Sequence, residues 1–155
     1  MEIEKKKLNI AFICDAITDY TAGSFVSARR FAEKLTKQGH HLIFIAAKSP
    51  SNPHNGYYDR IKVYRFRSIL LPKAEKKFYI SFPTTSELKK IFSDEKIDIV
   101  HIMIPTPSAV TSINAARSLG LKIVIHSHTQ PENLFLHLPK FFFIDTLNVI
   151  FYRYL

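Results

Sequence analysis

The sequence predicts an α/β fold, a doubly wound parallel sheet with helices on both faces, and three observations carry that prediction. Short, almost purely apolar runs recur at residues 8–14 (LNIAFIC), 41–47 (HLIFIAA), 97–104 (IDIVHIMI) and 121–125 (LKIVI), as expected of strands covered on both sides. Between them lie segments of helical period. Glycines stand where those helices should close, Gly39 and Gly120. Strands alternating with helices of this length imply βαβ units, a parallel sheet and a single Rossmann-like domain over residues 1–155.

Taken in order, residues 8–14 form the first strand, and Ser24 caps a helix to about Gln38, with Phe25, Ala28, Phe31, Ala32 and Leu35 on one face. Residues 41–47 are the second strand. Residues 49–58, with Pro50, Pro53 and Gly56, read as loop. In residues 61–66 (IKVYRF) apolar and basic side chains alternate, so this strand has a wetter face and belongs near a sheet edge. Residues 67–83 are basic and irregular. A helix then starts at Thr84, Thr85 or Ser86, with Leu88, Ile91 and Phe92 on its apolar face. The strand at 97–104, a helix over 105–119 and the strand at 121–125 follow, and residues 139–155 are apolar at nearly every helical face.

Composition narrows the functional classes. With 46% apolar and 23% charged residues the chain is globular rather than disordered. Its single cysteine, Cys14, has no intramolecular partner, which favours a reducing, cytoplasmic setting. The N-terminal apolar stretch is too short for a signal-peptide core, and no apolar run reaches the ~18 residues of a membrane span. The formal net charge of +9 is concentrated: nine basic residues lie between Arg60 and Lys90, against Glu75 and Glu87. An anionic partner is expected from that density, whether a phosphorylated substrate, a lipid headgroup layer or a nucleic acid.

Ligands of doubly wound sheets bind beyond the carboxyl ends of the strands, at the point where strand order reverses. Three loops should meet there, at residues 15–23, 105–107 and 126–133. In the first, DAITDYTAGSFVSARR, Gly23 and Ser24 open a helix whose amide groups suit an anion, although Gly23 also serves as a plain turn residue. Neither GxGxxG nor GxxxxGKS is present. In HSHTQPEN, His126 and His128 point to the same side of an extended segment. With Glu132 or His137 they could approach a metal, but no second His/Cys cluster completes a ligand set, and no metal is expected. An acid/base or substrate-orienting role fits the loop better, and His126 could equally bond neighbouring backbone. His101, inside its strand, reads as a core histidine rather than a ligand, and Asp98 as the strand start.

The basic stretch interleaves Ile69, Leu70, Leu71, Phe78, Tyr79 and Phe82 with Arg65, Arg67, Lys73, Lys76 and Lys77. It suits an anionic bilayer, or else a solvated loop with a charge-protected strand edge. Nucleic acid is disfavoured because no Gly-rich or aromatic RNA motif accompanies it.

Together, TAGSFVSARRFAEKLTKQGHHLIFIA and KIDIVHIMIPTPSAVTSINAARSLGLKIVIHSHTQPEN resemble the N-terminal half of a family 4 retaining glycosyltransferase of the GT-B fold, over residues 8–155. The glycine loop, QGH before the second strand, DIVHI followed by Pro105, and GLKIVIHSHT stand in that family's order. FPTTSELKKIF, IDIVHIMIPTP and the HT step are similar to members that glycosylate lipids. The resemblance implies a nucleotide-sugar co-substrate, no other cofactor, and a lipid or glycan acceptor. It sets Ala22 and Gly23 where the family has Gly-Gly facing the donor diphosphate, Ala22 being a departure. It also implies His128 as the catalytic histidine at the transferred sugar, with Ser24 on the donor side and Asp15, Thr129 and Glu132 as donor or acceptor contacts. Arg65, Arg67, Lys73, Lys76 and Lys77 would lie on the inner face of the cell membrane. The C-terminal donor-binding domain of such enzymes is absent from the sequence, so the chain is expected to be an acceptor-side half. The rival reading is a non-catalytic membrane-binding or regulatory module of the same fold. A receiver-like domain is rejected because Asp15 stands alone after the first strand and Phe66-Arg67 follow the third.

Overall fold

In the computed structural model, which describes residues 6–18, 23–71 and 78–126, the expected sheet is present. Its central strand, β1 (Asn9–Ile13), pairs in parallel with β2 (His41–Ala47) on one side and β7 (Ile99–Ile102) on the other, so that Phe12 lies level with both Phe44 and His101. β4 (Ile61–Phe66) continues the sheet beyond β2, and β8 (Lys122–Ile125) beyond β7. The parallel strands therefore run β4-β2-β1-β7-β8, which is third, second, first, fourth and fifth in chain order. That is the doubly wound arrangement, with its reversal between β1 and β7.

Alternation along β1 sorts the core into two halves. Ile10, Phe12 and Cys14 face one side with Phe44, where α1 (Gly23–Lys37) lays down Phe25, Ala28 and Ala32. Ala11 and Ile13 face the other with Ile43, Ile45, Val100 and Ile102. There α2 (Thr85–Asp94) contributes Leu88 and Phe92, and α3 (Pro107–Ser118) contributes Ala109, Ile113 and Ala116. Small residues on α1 and α3 let those helices approach the sheet closely.

Local chemistry explains the boundaries. Thr84 caps α2 in a capping box: its hydroxyl accepts the Glu87 amide, and the Glu87 carboxylate accepts the Thr84 amide at 2.8 Å. The Thr84 hydroxyl also donates to that carboxylate at 2.6 Å, and together with the Thr84 amide it holds the Glu87 carboxyl below its ordinary pKa. Gly39, at φ +86, ends α1 in a conformation that a side chain resists. The Asp98 carboxylate accepts the Asn9 amide at 2.9 Å and so anchors the start of β1 as well as preceding β7.

The structure corrects several boundaries. Residues 49–58 contain β3 (Gly56–Tyr58), antiparallel to β4, so β3 and not β4 is the outer strand on that side. Its two-residue turn puts Asp59 at φ 44 and Arg60 at φ 68, the left-handed conformations of a tight hairpin, without the usual Asn-Gly signal. Residues 67–83 are likewise not wholly irregular: β5 (Ser68–Leu70) and β6 (Tyr79–Ser81) pair as a separate two-stranded sheet. The first helix begins at Gly23, placing Ser24 inside its first turn rather than before it, and the third begins at Pro107, with Thr106 at its N-cap position. Among the described residues no helix is long and apolar enough to cross a membrane.

Candidate active-site crevice

At the carboxyl ends of β1 and β7 the chain turns away from the sheet, and a cluster of small polar groups forms where it does. Asp15 follows β1 in a single turn of 3-10 helix (Asp15–Thr18) and is fully buried. One carboxylate oxygen accepts the Ser81 hydroxyl at 2.5 Å. The other accepts the Ser81 amide at 3.2 Å and the Ser108 hydroxyl at 3.1 Å. The Thr106 and Ser108 hydroxyls lie 2.8 Å apart, in hydrogen-bond contact beside it. Burial pushes the Asp15 carboxyl above its ordinary pKa, and the bonds from Ser81, Thr106 and Ser108 oppose that rise without cancelling it. Beside it, burial and the Asp15 charge push the Cys14 thiol up to about 12, leaving no thiolate for nucleophilic chemistry.

The helix α1 opens beside this crevice. Gly23 is exposed, its φ is not in the left-handed region, and a Cβ added there would meet no described atom within 4 Å. Its backbone conformation therefore does not require glycine. Ser24 is the second residue of the helix.

A column of rings borders the crevice on the β8 side. His101 stacks on Phe12 with centroids 4.9 Å apart, His126 lies 6.1 Å from His101, and Phe31 of α1 meets His126 edge-on at 5.4 Å. His101 is thus half-buried among aromatic rings rather than sealed in the core. His126 extends the β7–β8 ladder, donating its amide to Ile102 at 2.9 Å.

Of the basic residues expected at a membrane surface, Arg65 is half-buried. Its guanidinium donates to the Ala47 carbonyl at 3.2 Å and to the Asn52 side chain at 3.4 Å, so it braces the ends of β2 and β4. Arg67 is exposed, and its carbonyl accepts the Phe82 amide at 3.0 Å, where the chain returns from the β5–β6 hairpin. The hairpin exposes Ile69 and Leu70, with Phe82 just after it. Ala22, His128, Thr129, Glu132, Lys73, Lys76 and Lys77 lie outside the described residues. Among the described residues no three His, Cys, Asp or Glu side chains converge as metal ligands.

The crevice thus brings Asp15 together with the start of α3 and with β6. Sequence reasoning placed the loops at 15–23 and 105–107 there but missed Ser81, Thr106 and Ser108. Small hydroxyl residues carry no periodic signal, although the Pro105–Pro107 bracket around Thr106 marks a chain turning at a strand end. A separate groove of about 340 Å³ opens at the other end of the sheet, between Thr36 and Lys37 of α1 and Arg60 before β4. It is remote from the strands' carboxyl ends.

Comparison with known proteins agrees with this architecture. The model of Glycosyltransferase Family 4 matches residues 21–154. No curated protein matches the chain. Among solved structures, MurG of Acinetobacter baumannii is similar at a TM-score of 0.52 and 19% identity, over 87% of this chain and 40% of that one. At that identity the likeness speaks for the fold, and the chain spans about 40% of the length of the protein it matches. A sheet reversing between β1 and β7, a glycine-led helix after β1, and a family match over most of the sequence place this chain in Glycosyltransferase Family 4, as an N-terminal GT-B domain.

Proposed function

We propose that the chain is the acceptor-side domain of a retaining glycosyltransferase that moves a sugar from a nucleotide-sugar to a lipid, working with a C-terminal donor-binding domain. The observation that carries this reading is the exposed start of α1 at Gly23, beside the reversal point of a family 4 sheet. The first amides of the helix and its dipole suit the negative charge that develops on a leaving diphosphate. Gly23 and Ser24 take that role, with Ala22 before them. His128, two residues beyond the last described one, meets the transferred sugar and orients it, and Thr129 and Glu132 complete the donor or acceptor contacts. Catalysis then rests on positioning and electrostatics rather than on a metal.

The lipid acceptor is supported by the β5–β6 hairpin, where Ile69, Leu70 and Phe82 are exposed beside Arg67, in the most basic part of the sequence. Apolar groups entering the interface while Lys and Arg meet anionic headgroups would seat the domain on the inner face of the cell membrane. Lys73, Lys76 and Lys77 add to that charge. The same hairpin favours a second reading, a membrane-binding module that does no chemistry.

The test is transfer of labelled sugar from a panel of nucleotide-sugars to membrane lipids by the protein bearing both domains, with and without His128→Ala. Loss of roughly 100-fold in turnover is expected for the variant. Unchanged turnover sinks the assignment of His128. No transfer by the parent protein, with strong binding to anionic vesicles, selects the second reading.

A further inference from the structure

The most tightly bound polar group at the crevice is Asp15, and its partners come from distant parts of the chain. Ser81 lies 66 residues away and Ser108 93 residues away. Ser81 ends β6, the return strand of the two-stranded sheet, and Ser108 is the second residue of α3. Asp15 itself leads from β1 towards the start of α1. Its two oxygens therefore receive one amide and two hydroxyls, from a hairpin and from a helix, at a single side chain. The outgoing half of the hairpin is bound to the sheet separately, through the Ser68 hydroxyl on the Lys48 carbonyl at 2.5 Å.

We infer that Asp15 is a positioning residue, a clasp that fixes the β5–β6 hairpin and the start of α3 against the crevice without itself touching donor or acceptor. Three features support this over a direct contact. Asp15 has no exposed surface. Both oxygens are occupied by protein donors, and none of its described partners is a cation or a group left over for ligand. Those donors are also ones that an amide could largely satisfy. In Asp15→Asn the remaining oxygen can accept the Ser81 amide and the Ser108 hydroxyl, while the new amide group donates to the Ser81 hydroxyl, which can turn to accept. A clasp survives that change, whereas a charged contact to substrate does not. The inference rests on the proposed function only for which ligand the crevice holds. The clasp is read independently of it.

The experiment is amide hydrogen exchange on the parent protein and on Asp15→Asn and Asp15→Ala, with sugar transfer measured in parallel. In Asp15→Ala the amides of residues 79–82 and 106–110 should exchange about 10-fold faster or more, while those in the middle of β2 and β4 keep their rates. Asp15→Asn should restore exchange to within about 3-fold of the parent and restore turnover with it. Unchanged exchange in Asp15→Ala would overturn the clasp. So would Asp15→Asn with parental exchange but turnover as low as Asp15→Ala, because the carboxylate would then act on the ligand directly. Should Asp15→Ala fail to fold, the milder Ser81→Ala and Ser108→Ala keep the question open to decision: each should speed exchange across both elements, and an effect confined to the mutated element refutes the coupling. A parent protein that transfers no sugar counts against the proposed function and leaves the exchange comparison intact.

Discussion

Glu95 offers the most quantitative test of how the sheet and helices are joined, at the end remote from the crevice. It caps α2 and accepts three hydrogen bonds, from Lys62 Nζ at 2.7 Å, Tyr64 OH at 2.5 Å and His41 Nε2 at 3.1 Å. One carboxylate thereby ties the helix to β2 and β4. Burial alone would raise its pKa, but the bonds from Lys62, Tyr64 and His41 outweigh burial and hold it at about 2, against an ordinary 4.5. A depressed carboxyl contributes stability that is fully present above pH 4.5 and is lost as pH falls towards 2. Linkage at ~1.4 kcal/mol per unit would convert that gap to about 3 kcal/mol. The Glu95 side chain is only 14% exposed, but Lys62 is 43% exposed and His41 50%, so solvent screens the attraction. About 1 kcal/mol is the realistic share. Glu95→Gln keeps the shape and one acceptor oxygen while removing the charge. Urea unfolding should find it about 1 kcal/mol less stable than the parent at pH 7, with the difference shrinking to near zero by about pH 2. A difference that is absent at pH 7, or equally large at both pH values, would refute the argument.

Other outcomes follow from single sites. Gly23→Ala should leave stability unchanged or slightly raised, because its φ is ordinary and no described atom lies near the added Cβ, whereas Gly39→Ala, at φ +86, should lose roughly 1 kcal/mol in thermal unfolding. If Gly23 faces the donor diphosphate, the same alanine should weaken nucleotide-sugar binding by calorimetry despite intact stability. Phe12→Ala, which empties a fully buried site between Phe44 and His101, should cost about 3–5 kcal/mol in urea unfolding. The Cys14 thiol, buried and raised to about 12, should resist a thiol reagent at pH 8 in the native protein and react fully once unfolded. Leu70→Glu should reduce sedimentation with anionic vesicles without lowering the melting temperature, since Leu70 is 48% exposed.

Legibility in the sequence followed the length of the signal. The strands β2 and β4 have the bounds expected, because six or seven residues of unbroken or alternating apolar pattern leave little choice of register. The three-residue strands β3, β5 and β6 span less than two full alternations, and Gly56 inside β3, like Pro53 and Pro72 nearby in sequence, reads as loop. In the site, Asp15 was visible as the lone acid after the first strand, yet its burial was not. What encloses it are hydroxyls from serines 66 and 93 residues away, and no local pattern announces such a pairing. The stacking of His126 on His101 was hidden for the same reason: alternation sets the side of each strand, while the partner across the sheet is a matter of register.

The two ends of the sheet are held by different means, and the difference bears on how the crevice works. At the amino end, Glu95 uses charge that is partly exposed, so that junction weakens with acid and with salt. At the carboxyl end, Asp15 is shut away and its partners are an amide and hydroxyls, so salt cannot screen it. Neutral donors around a buried carboxylate stabilise it less than a cation would, and they leave its negative charge uncancelled. Each bond is directional, however, and three of them converge from β6 and α3 on one side chain. Holding the hairpin and α3 with serines therefore fixes those two elements against the crevice by geometry rather than by paired charge, and this junction should keep its strength as ionic strength rises.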